Sequence, residues 1–135
     1  MSDTEQEMSL VKQNLATLFK MKDLGKLHYC LGINIKQEEE TLSLHQNHYS
    51  LQILKRFGME DAKPVSTPVD VNVKLIKDDG VSKPVQPESY QAMVESLLYL
   101  TIATRPDISH AVGAVYKYCA TPTEAHLSAA KRILR

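Results

Sequence analysis

The stretch from position 27 to position 36 alternates apolar residues with polar or small ones without a break. Its apolar positions are Leu27, Tyr29, Leu31, Ile33 and Ile35. A period of two is typical of a strand with one buried face, so the pattern predicts a single β-strand. The acidic residues 38–40 would then form a turn, and residues 41–45 return with apolar side chains two positions apart. We therefore expect an antiparallel β-hairpin.

Glycine at position 32 falls on the non-apolar face of this predicted strand. A glycine in mid-strand packs against nothing and costs backbone entropy, so its usual reasons are a β-bulge or the close approach of a backbone or a ligand. The residues alone leave both readings open.

Two helices are predicted around the hairpin. Residues 3–19 place apolar side chains on one stripe, which we expect to cover the sheet. The stripe contains Met8, Val11, Leu15, Leu18 and Phe19. After the hairpin, Asn47 is expected to cap a short helix from His48 to Phe57, and Gly58 to end it.

The second half of the chain predicts a linker and then three helices. Residues 59–86 contain several prolines and little periodicity, which favours a loose, irregular connection. The first helix spans residues 87–102, with Glu95 on its polar side. The second begins near Arg105 and buries one face that includes Tyr116 and Cys119. A capping box at positions 121–124 is expected to open the third.

The predicted fold class is therefore α+β. Residues 1–58 would hold the first helix, the hairpin and the short helix, residues 59–86 the linker, and residues 87–135 the three-helix unit. A lone two-stranded hairpin is marginal in water, so its apolar face or free edge should contact the chain's own helices or a second copy.

Composition limits the function classes further. Sixteen basic and sixteen acidic residues give zero formal charge, so overall charge indicates no nucleic-acid binding. The two cysteines, Cys30 and Cys119, lie far apart without metal-binding spacing, which favours reduced thiols in an intracellular, cytoplasmic or nuclear protein. No apolar run approaches the roughly 20 residues that cross a bilayer, so we expect no membrane partner.

The residues offer no catalytic set. Transfer of nucleotides needs carboxylates that hold two divalent metals, whereas Asp78 and Asp79 precede a glycine in a predicted turn. His45 and His48 form the only close histidine pair and lack further ligands nearby. We therefore predict no catalytic residue, no metal site and no cofactor.

Basic side chains do accumulate near the end of the sequence. From position 105 to position 135, five basic residues face only two acidic ones, and three of the five lie close together on one predicted helix. The five are Arg105, Lys117, Lys131, Arg132 and Arg135. Contacts of such groups with phosphates give affinity without sequence choice and weaken with salt. A solvated outer helix face is the alternative for these residues, and also for Lys55 and Arg56.

Four blocks of the sequence resemble, in order, the reverse transcriptase region of copia-type retrotransposon polyproteins. The blocks are FKMKDLGKLHYCLGINI, LHQNHYSLQILKRFGMEDAKPVSTPV, YQAMVESLLYLTIATRPDISHAV and PTEAHLSAAKRILR. The resemblance implies the end of the palm, the hairpin that grips the primer, and the thumb. It places the catalytic aspartates, and with them Mg²⁺, upstream of the matching segment. Cys30 and Glu95 depart from the family's usual aromatic residue and glycine.

The resemblance also implies a function and a partner. Leu31 and Gly32 match the Leu-Gly of the family's hairpin, so we expect these residues and Lys36 to approach a primer–template duplex together with the basic helix residues. The chain would bind RNA or DNA duplex without polymerase activity of its own. The alternative is a domesticated or degenerate remnant that acts as a protein assembly module, for example as a homodimer through the exposed hairpin.

Overall fold

The protein has the mixed α+β architecture that the sequence predicts. The computed structural model describes residues 5–38 and 41–135. Its elements are α1 (Glu5–Leu18), β1 (Tyr29–Cys30), β2 (Ile33–Gln37), β3 (Leu42–His45), α2 (Asn47–Arg56), α3 (Pro87–Ala103), a 3-10 turn (Pro106–Ile108), α4 (Ser109–Tyr116) and α5 (Glu124–Ile133). The start of the predicted first helix, at positions 3 and 4, and positions 39 and 40 of the acidic turn lie outside the described residues.

The stretch expected to be one strand is two strands joined by a tight turn. Leu31 and Gly32 both have positive φ, 49° and 76°, and Cys30 pairs directly with Ile33. A two-residue turn with positive φ at both positions matches the twist of an antiparallel hairpin. The sheet therefore has three strands in the order β1-β2-β3, and the single-strand and bulge readings are wrong.

The predicted hairpin between β2 and β3 is confirmed. Ile35 lies opposite Leu44, and Gln37 lies opposite Leu42. Residues directly opposite each other share a face, so the apolar side chains of both strands lie together. That face is not covered as expected, because Leu42 and Leu44 are exposed and no described residue of α1 is buried.

The hydrophobic core lies among α3, α4 and α5, which form the helical unit of residues 87–135. Tyr90, Val94 and Leu97 of α3 are almost fully buried, as are Val112 and Val115 of α4. The Tyr90 hydroxyl donates to the Val115 carbonyl at 2.7 Å. Burial keeps this phenol protonated by raising its pKa.

Two of three positions predicted in these helices are confirmed and one is wrong. Glu95 lies on the exposed side of α3 as expected, and Cys119 is half-buried against the core. Tyr116 is 53% exposed, so the prediction that it shares the buried face is wrong. Val115, its neighbour in α4, takes the buried position instead.

Of the three predicted helix caps, one is wrong, one is displaced by two residues and one is confirmed. Gln46, rather than Asn47, precedes α2 and makes no side-chain cap bond. A capping box opens α5 as predicted, but its first residue is Thr123 rather than Thr121, and the Thr123 backbone N–H donates to His126 Nδ1 at 3.0 Å. Gly58 ends α2 as predicted, with φ of 63° and a hydrogen bond from its N–H to the Lys55 carbonyl.

The linker of residues 59–86 contains no helix or strand, but it is not loose. The Val65 N–H donates to the Arg135 carbonyl at 3.1 Å, and the Glu124 N–H donates to the Lys83 carbonyl at 2.9 Å. His126 Nε2 donates to the Ile76 carbonyl at 2.9 Å, and its ring stacks on a tyrosine ring between α4 and α5. The linker is thus fastened along its length to the helical unit.

Candidate nucleic-acid interface

The Leu31–Gly32 turn, called here the hairpin tip, contacts α3. Leu31 is 81% exposed, while its carbonyl accepts a hydrogen bond from the Tyr99 hydroxyl. A Cβ placed on Gly32 would lie 3.4 Å from Tyr99 Oη, in addition to the strain of its positive φ. The close approach that a glycine at position 32 suggested therefore exists, but its partner is a tyrosine of the same chain.

Tyr99 is itself held in place by a second aromatic residue. The rings of Tyr49 and Tyr99 meet edge to face, with centroids 5.0 Å apart and planes at 83°. This is a favoured geometry for aromatic pairs. The hairpin tip, α2 and α3 therefore converge on one side chain.

Lys36 lies on β2, exposed and next to the acidic turn. Its Nζ is 2.6 Å from Glu38 Oε1, and both side chains are largely in solvent. Exposed ion pairs contribute only about 0–1 kcal/mol, so the pair can open at little cost when a phosphate competes for the ammonium.

Arg105 is engaged by its own neighbour. Its Nη2 and Nε donate to the two carboxylate oxygens of Asp107 at 2.8 and 2.9 Å. The guanidinium lowers the pKa of the Asp107 carboxyl, and the carboxylate raises the pKa of Arg105 in return. Both side chains stay more than half exposed, so the pair sits at the surface with its charge neutralised.

The three basic residues of α5 do not form the open cluster that the sequence suggested. Arg132 lies 3.4 Å from Asp70 Oδ2 and donates to the Thr67 hydroxyl at 3.2 Å. Arg135 Nε donates to the Lys63 carbonyl at 2.7 Å. Both arginines hold the linker, so of the three basic side chains only Lys131 makes no described ion pair or hydrogen bond.

Other lysines carry charge that no described carboxylate neutralises. Lys117 is exposed at the end of α4, and Lys131 is half-buried on α5. Sequence reasoning missed the lysines between α1 and β1, at positions 20, 22 and 26, all of them exposed. Their close spacing in the sequence was the available signal. The positive charge is therefore spread over both halves of the chain.

Asp78 and Asp79 belong to a turn of the linker. Among the described residues, no group of three His, Cys, Asp or Glu side chains could hold a metal ion. Asp79 instead accepts hydrogen bonds from the Ser82 hydroxyl and from backbone N–H groups at positions 81 and 82, which lower its pKa to about 2. Asp78 accepts the Gly80 N–H at 2.9 Å. These carboxylates stabilise a turn, as the sequence indicated.

Over residues 5–38 and 41–135, no helix has the length and apolar character needed to cross a bilayer.

Comparison with known families assigns the chain. The family model described as reverse transcriptase (RNA-dependent DNA polymerase) matches residues 1–71, which is more than half of the sequence. The chain belongs to the reverse transcriptase family. This match confirms the resemblance for the first two of the four sequence blocks, which lie within residues 1–71.

Curated relatives of this reverse transcriptase chain extend the match to its second half. The retrovirus-related Pol polyprotein from transposon RE1 of Arabidopsis thaliana is 46% identical over 122 residues, covering 90% of this chain and 8% of the polyprotein. The Pol polyprotein from transposon TNT 1-94 of Nicotiana tabacum is 39% identical over 135 residues, covering 93% of this chain and 10% of that protein. An uncharacterized mitochondrial protein of Arabidopsis thaliana is 45% identical over 121 residues, covering 90% of this chain and 49% of its own length.

The chain thus spans half or less of each of these relatives. No solved structure matches it significantly. The reverse transcriptase region of a copia-type polyprotein is the assignment that these matches support.

Proposed function

We propose that this chain is the primer-gripping hairpin and thumb of a copia-type reverse transcriptase and that it binds a primer–template duplex without sequence preference. One observation supports this most directly. The exposed hairpin tip, Leu31–Gly32, is docked on α3 through Tyr99, so the tip and the helical unit form one continuous surface. A continuous surface of this kind can contact a duplex at two places at once.

The distribution of charge supports the choice of partner. The lysines at positions 20, 22 and 26, together with Lys117 and Lys131, have no described ion-pair partner. Lys36 occupies an exposed pair that a phosphate could replace at small cost, and the bidentate Arg105–Asp107 pair also lies at the surface. Such contacts supply affinity through counterion release and read no base edges.

Nucleotide addition is assigned in this proposal to another part of the polymerase. The Tyr-Val-Asp-Asp turn of the family does not occur in the sequence, and the described carboxylates do not fit two divalent ions. Mg²⁺ would therefore be held by the palm segment that the resemblance places upstream. We expect the chain to bind a duplex and not to extend it.

Fluorescence anisotropy with an RNA–DNA hybrid tests the proposal. We expect binding at about 50 mM salt that weakens steeply toward about 200 mM, with a negative slope of log affinity against log salt. The double variant Lys117→Ala with Lys131→Ala should reduce that slope by about two, one for each phosphate that is no longer neutralised. Lys74→Ala, an exposed lysine of the linker, is the matched control and should leave the slope unchanged.

Three results would overturn the proposal. The first is the absence of binding by the unmodified chain at low salt. The second is an unchanged slope in the double variant when circular dichroism shows that it is folded. The third, incorporation of nucleotides by the purified chain, would overturn the assignment of catalysis to another segment.

The exposed apolar sheet face favours a second candidate function. Leu42 and Leu44 are 64% and 49% exposed on a face that also carries Ile35, and large exposed apolar patches mark interaction sites. A protein assembly module, such as a homodimer through this face, would use it. Sedimentation velocity distinguishes the two functions, because a dimer that is indifferent to the hybrid would support assembly instead.

A further inference from the structure

The three-stranded sheet is attached to the helical unit by a few side-chain contacts rather than by a core. Every described residue of β1 and β3 is exposed, and β2 is at most half-buried. Two polar contacts connect this sheet region to α3. At one end the Tyr99 hydroxyl donates to the Leu31 carbonyl, and at the other the Thr104 hydroxyl donates to Gln46 Oε1 at 2.8 Å.

The contact between Thr104 and Gln46 is more deeply buried than the contact between Tyr99 and Leu31. Gln46 directly follows β3 and is only 3% exposed, so the base of the sheet is fixed where it enters α2. At the hairpin tip, by contrast, Leu31 is exposed, and the Tyr99 hydroxyl makes the one described hydrogen bond between the tip and α3. A sheet fixed at its base and held by one side chain at its tip can swing when that side chain is shortened.

The surroundings of Tyr99 favour its contact with the hairpin tip. Its ring is oriented by the edge of Tyr49 at 5.0 Å, and its hydroxyl reaches the tip where a glycine leaves room for it. A Cβ at position 32 would lie 3.4 Å from the hydroxyl oxygen, at the lower limit of ordinary van der Waals contact, so the positive φ is the stronger reason for glycine here. The turn backbone and the phenol thus lie in contact as well as being hydrogen-bonded.

We infer that Tyr99 is a positioning residue that fixes the hairpin tip against α3. The tip and the lysines of the helical unit, Lys117 and Lys131, then contact the same duplex. This inference rests on the proposed function and adds to it the residue that sets the interface geometry. Tyr99 acts through Leu31 and Gly32 and need not contact nucleic acid itself.

Distance measurement between spin labels tests the positioning directly. Cys30 is exposed beside the tip, and a second label can be placed at the exposed position 110 of α4 through His110→Cys, in a Cys119→Ser background. Tyr99→Phe removes only the hydroxyl. Tyr116→Phe is the matched control, since the Tyr116 side chain is exposed and makes no described hydrogen bond. We expect a broadened or shifted distance distribution for Tyr99→Phe and an unchanged one for Tyr116→Phe.

Affinity for the RNA–DNA hybrid is measured on the same variants. Because a hydrogen bond contributes about 0.5–1.5 kcal/mol, Tyr99→Phe should bind about two- to tenfold more weakly than Tyr116→Phe. An unchanged distance distribution in Tyr99→Phe would overturn the inference, and so would an altered distribution with unaltered affinity. Failure of the proposed function is recognised separately, since it appears as absent binding in the unmodified chain.

Discussion

The residues before Gln46 and those after it differ in how they are held. Leu18 of α1 is 74% exposed, whereas Leu97 of α3 is 1% exposed. The earlier region has regular secondary structure whose apolar residues are at most half-buried, whereas the later region packs its apolar stripes against one another. An amphipathic pattern therefore predicts an element but not its partner, and among the described residues the later region is the one whose stripes are buried.

The largest expected effect comes from truncating the core of the later region. Leu97→Ala removes almost fully buried methyl groups, so we expect a loss of about 2–5 kcal/mol in the free energy of unfolding. Leu18→Ala is the same change in the earlier region and should cost about 0.5 kcal/mol or less. Urea unfolding followed by circular dichroism measures both. Equal losses would show that α1 is packed, which contradicts the difference between the regions.

The next effect concerns the fastening of the linker to the helical unit. Arg132→Ala removes bonds to Thr67 and the ion pair with Asp70. We expect a loss of about 1–2 kcal/mol, since hydrogen bonds of a charged group are removed while solvent already screens the ion pair in part. Faster proteolysis within residues 59–86 should accompany it. Lys131→Ala, the neighbouring change, should leave both quantities nearly unaltered.

Each of the two cysteines lies in one of the regions compared, Cys30 in the earlier one and Cys119 in the later one. Cys30 is exposed, whereas burial and the nearby Glu95 carboxylate raise the pKa of the Cys119 thiol. Since the thiolate is the reactive form and burial limits access, Cys119 should react about tenfold or more slowly than Cys30 with a disulfide reagent at pH 8. Two kinetic phases are expected. The Cys119→Ser variant should lose only the slow phase, and loss of the fast phase would contradict the assignment.

The smallest expected effect is a pH dependence of folding stability that arises from two exposed carboxyl groups, Asp79 and Asp23. Hydrogen bonds lower the pKa of Asp79 in the linker to about 2, and the bond to Lys12 followed by the Gly25 N–H lowers the pKa of Asp23 in the earlier region. A lowered pKa stabilises the folded state above the ordinary value near 3.8, and the contribution disappears as the pH falls through the folded value.

A carboxyl NMR titration measures this dependence. Asp79 should titrate near pH 2, and the Asp79→Asn variant should lose this resonance together with the small stabilisation. A midpoint for Asp79 at its ordinary value would contradict the turn geometry. The Asp23→Asn variant provides the equivalent measurement in the earlier region.

Local patterns were sufficient to predict much of the fold. The β2–β3 hairpin follows from apolar residues two positions apart, and the end of α2 follows from Gly58. The Leu31–Gly32 turn was missed because alternation continues through it and because leucine rarely adopts positive φ. A turn that needs no break in the apolar pattern gives no periodicity signal.

The candidate site was harder to predict because its contacts join distant parts of the sequence. Arg132 and Arg135 looked like surface charges on a helix, but their partners lie in the linker at positions 63–70. Tyr99 looked like one more aromatic residue in an apolar run, and only the folded chain brings it to Leu31. Spacing along a helix indicates which side chains share a face and says nothing about what approaches that face.

The main-chain bond between Val65 and Arg135 has a mechanical consequence. It brings together two points of the polypeptide that lie far apart in sequence, so tension applied across them would load this junction first. Once it gives way and the helices unravel, roughly 70 residues of hidden length would be released, or roughly 230–250 Å when fully extended. Single-molecule pulling would register that release as one long step.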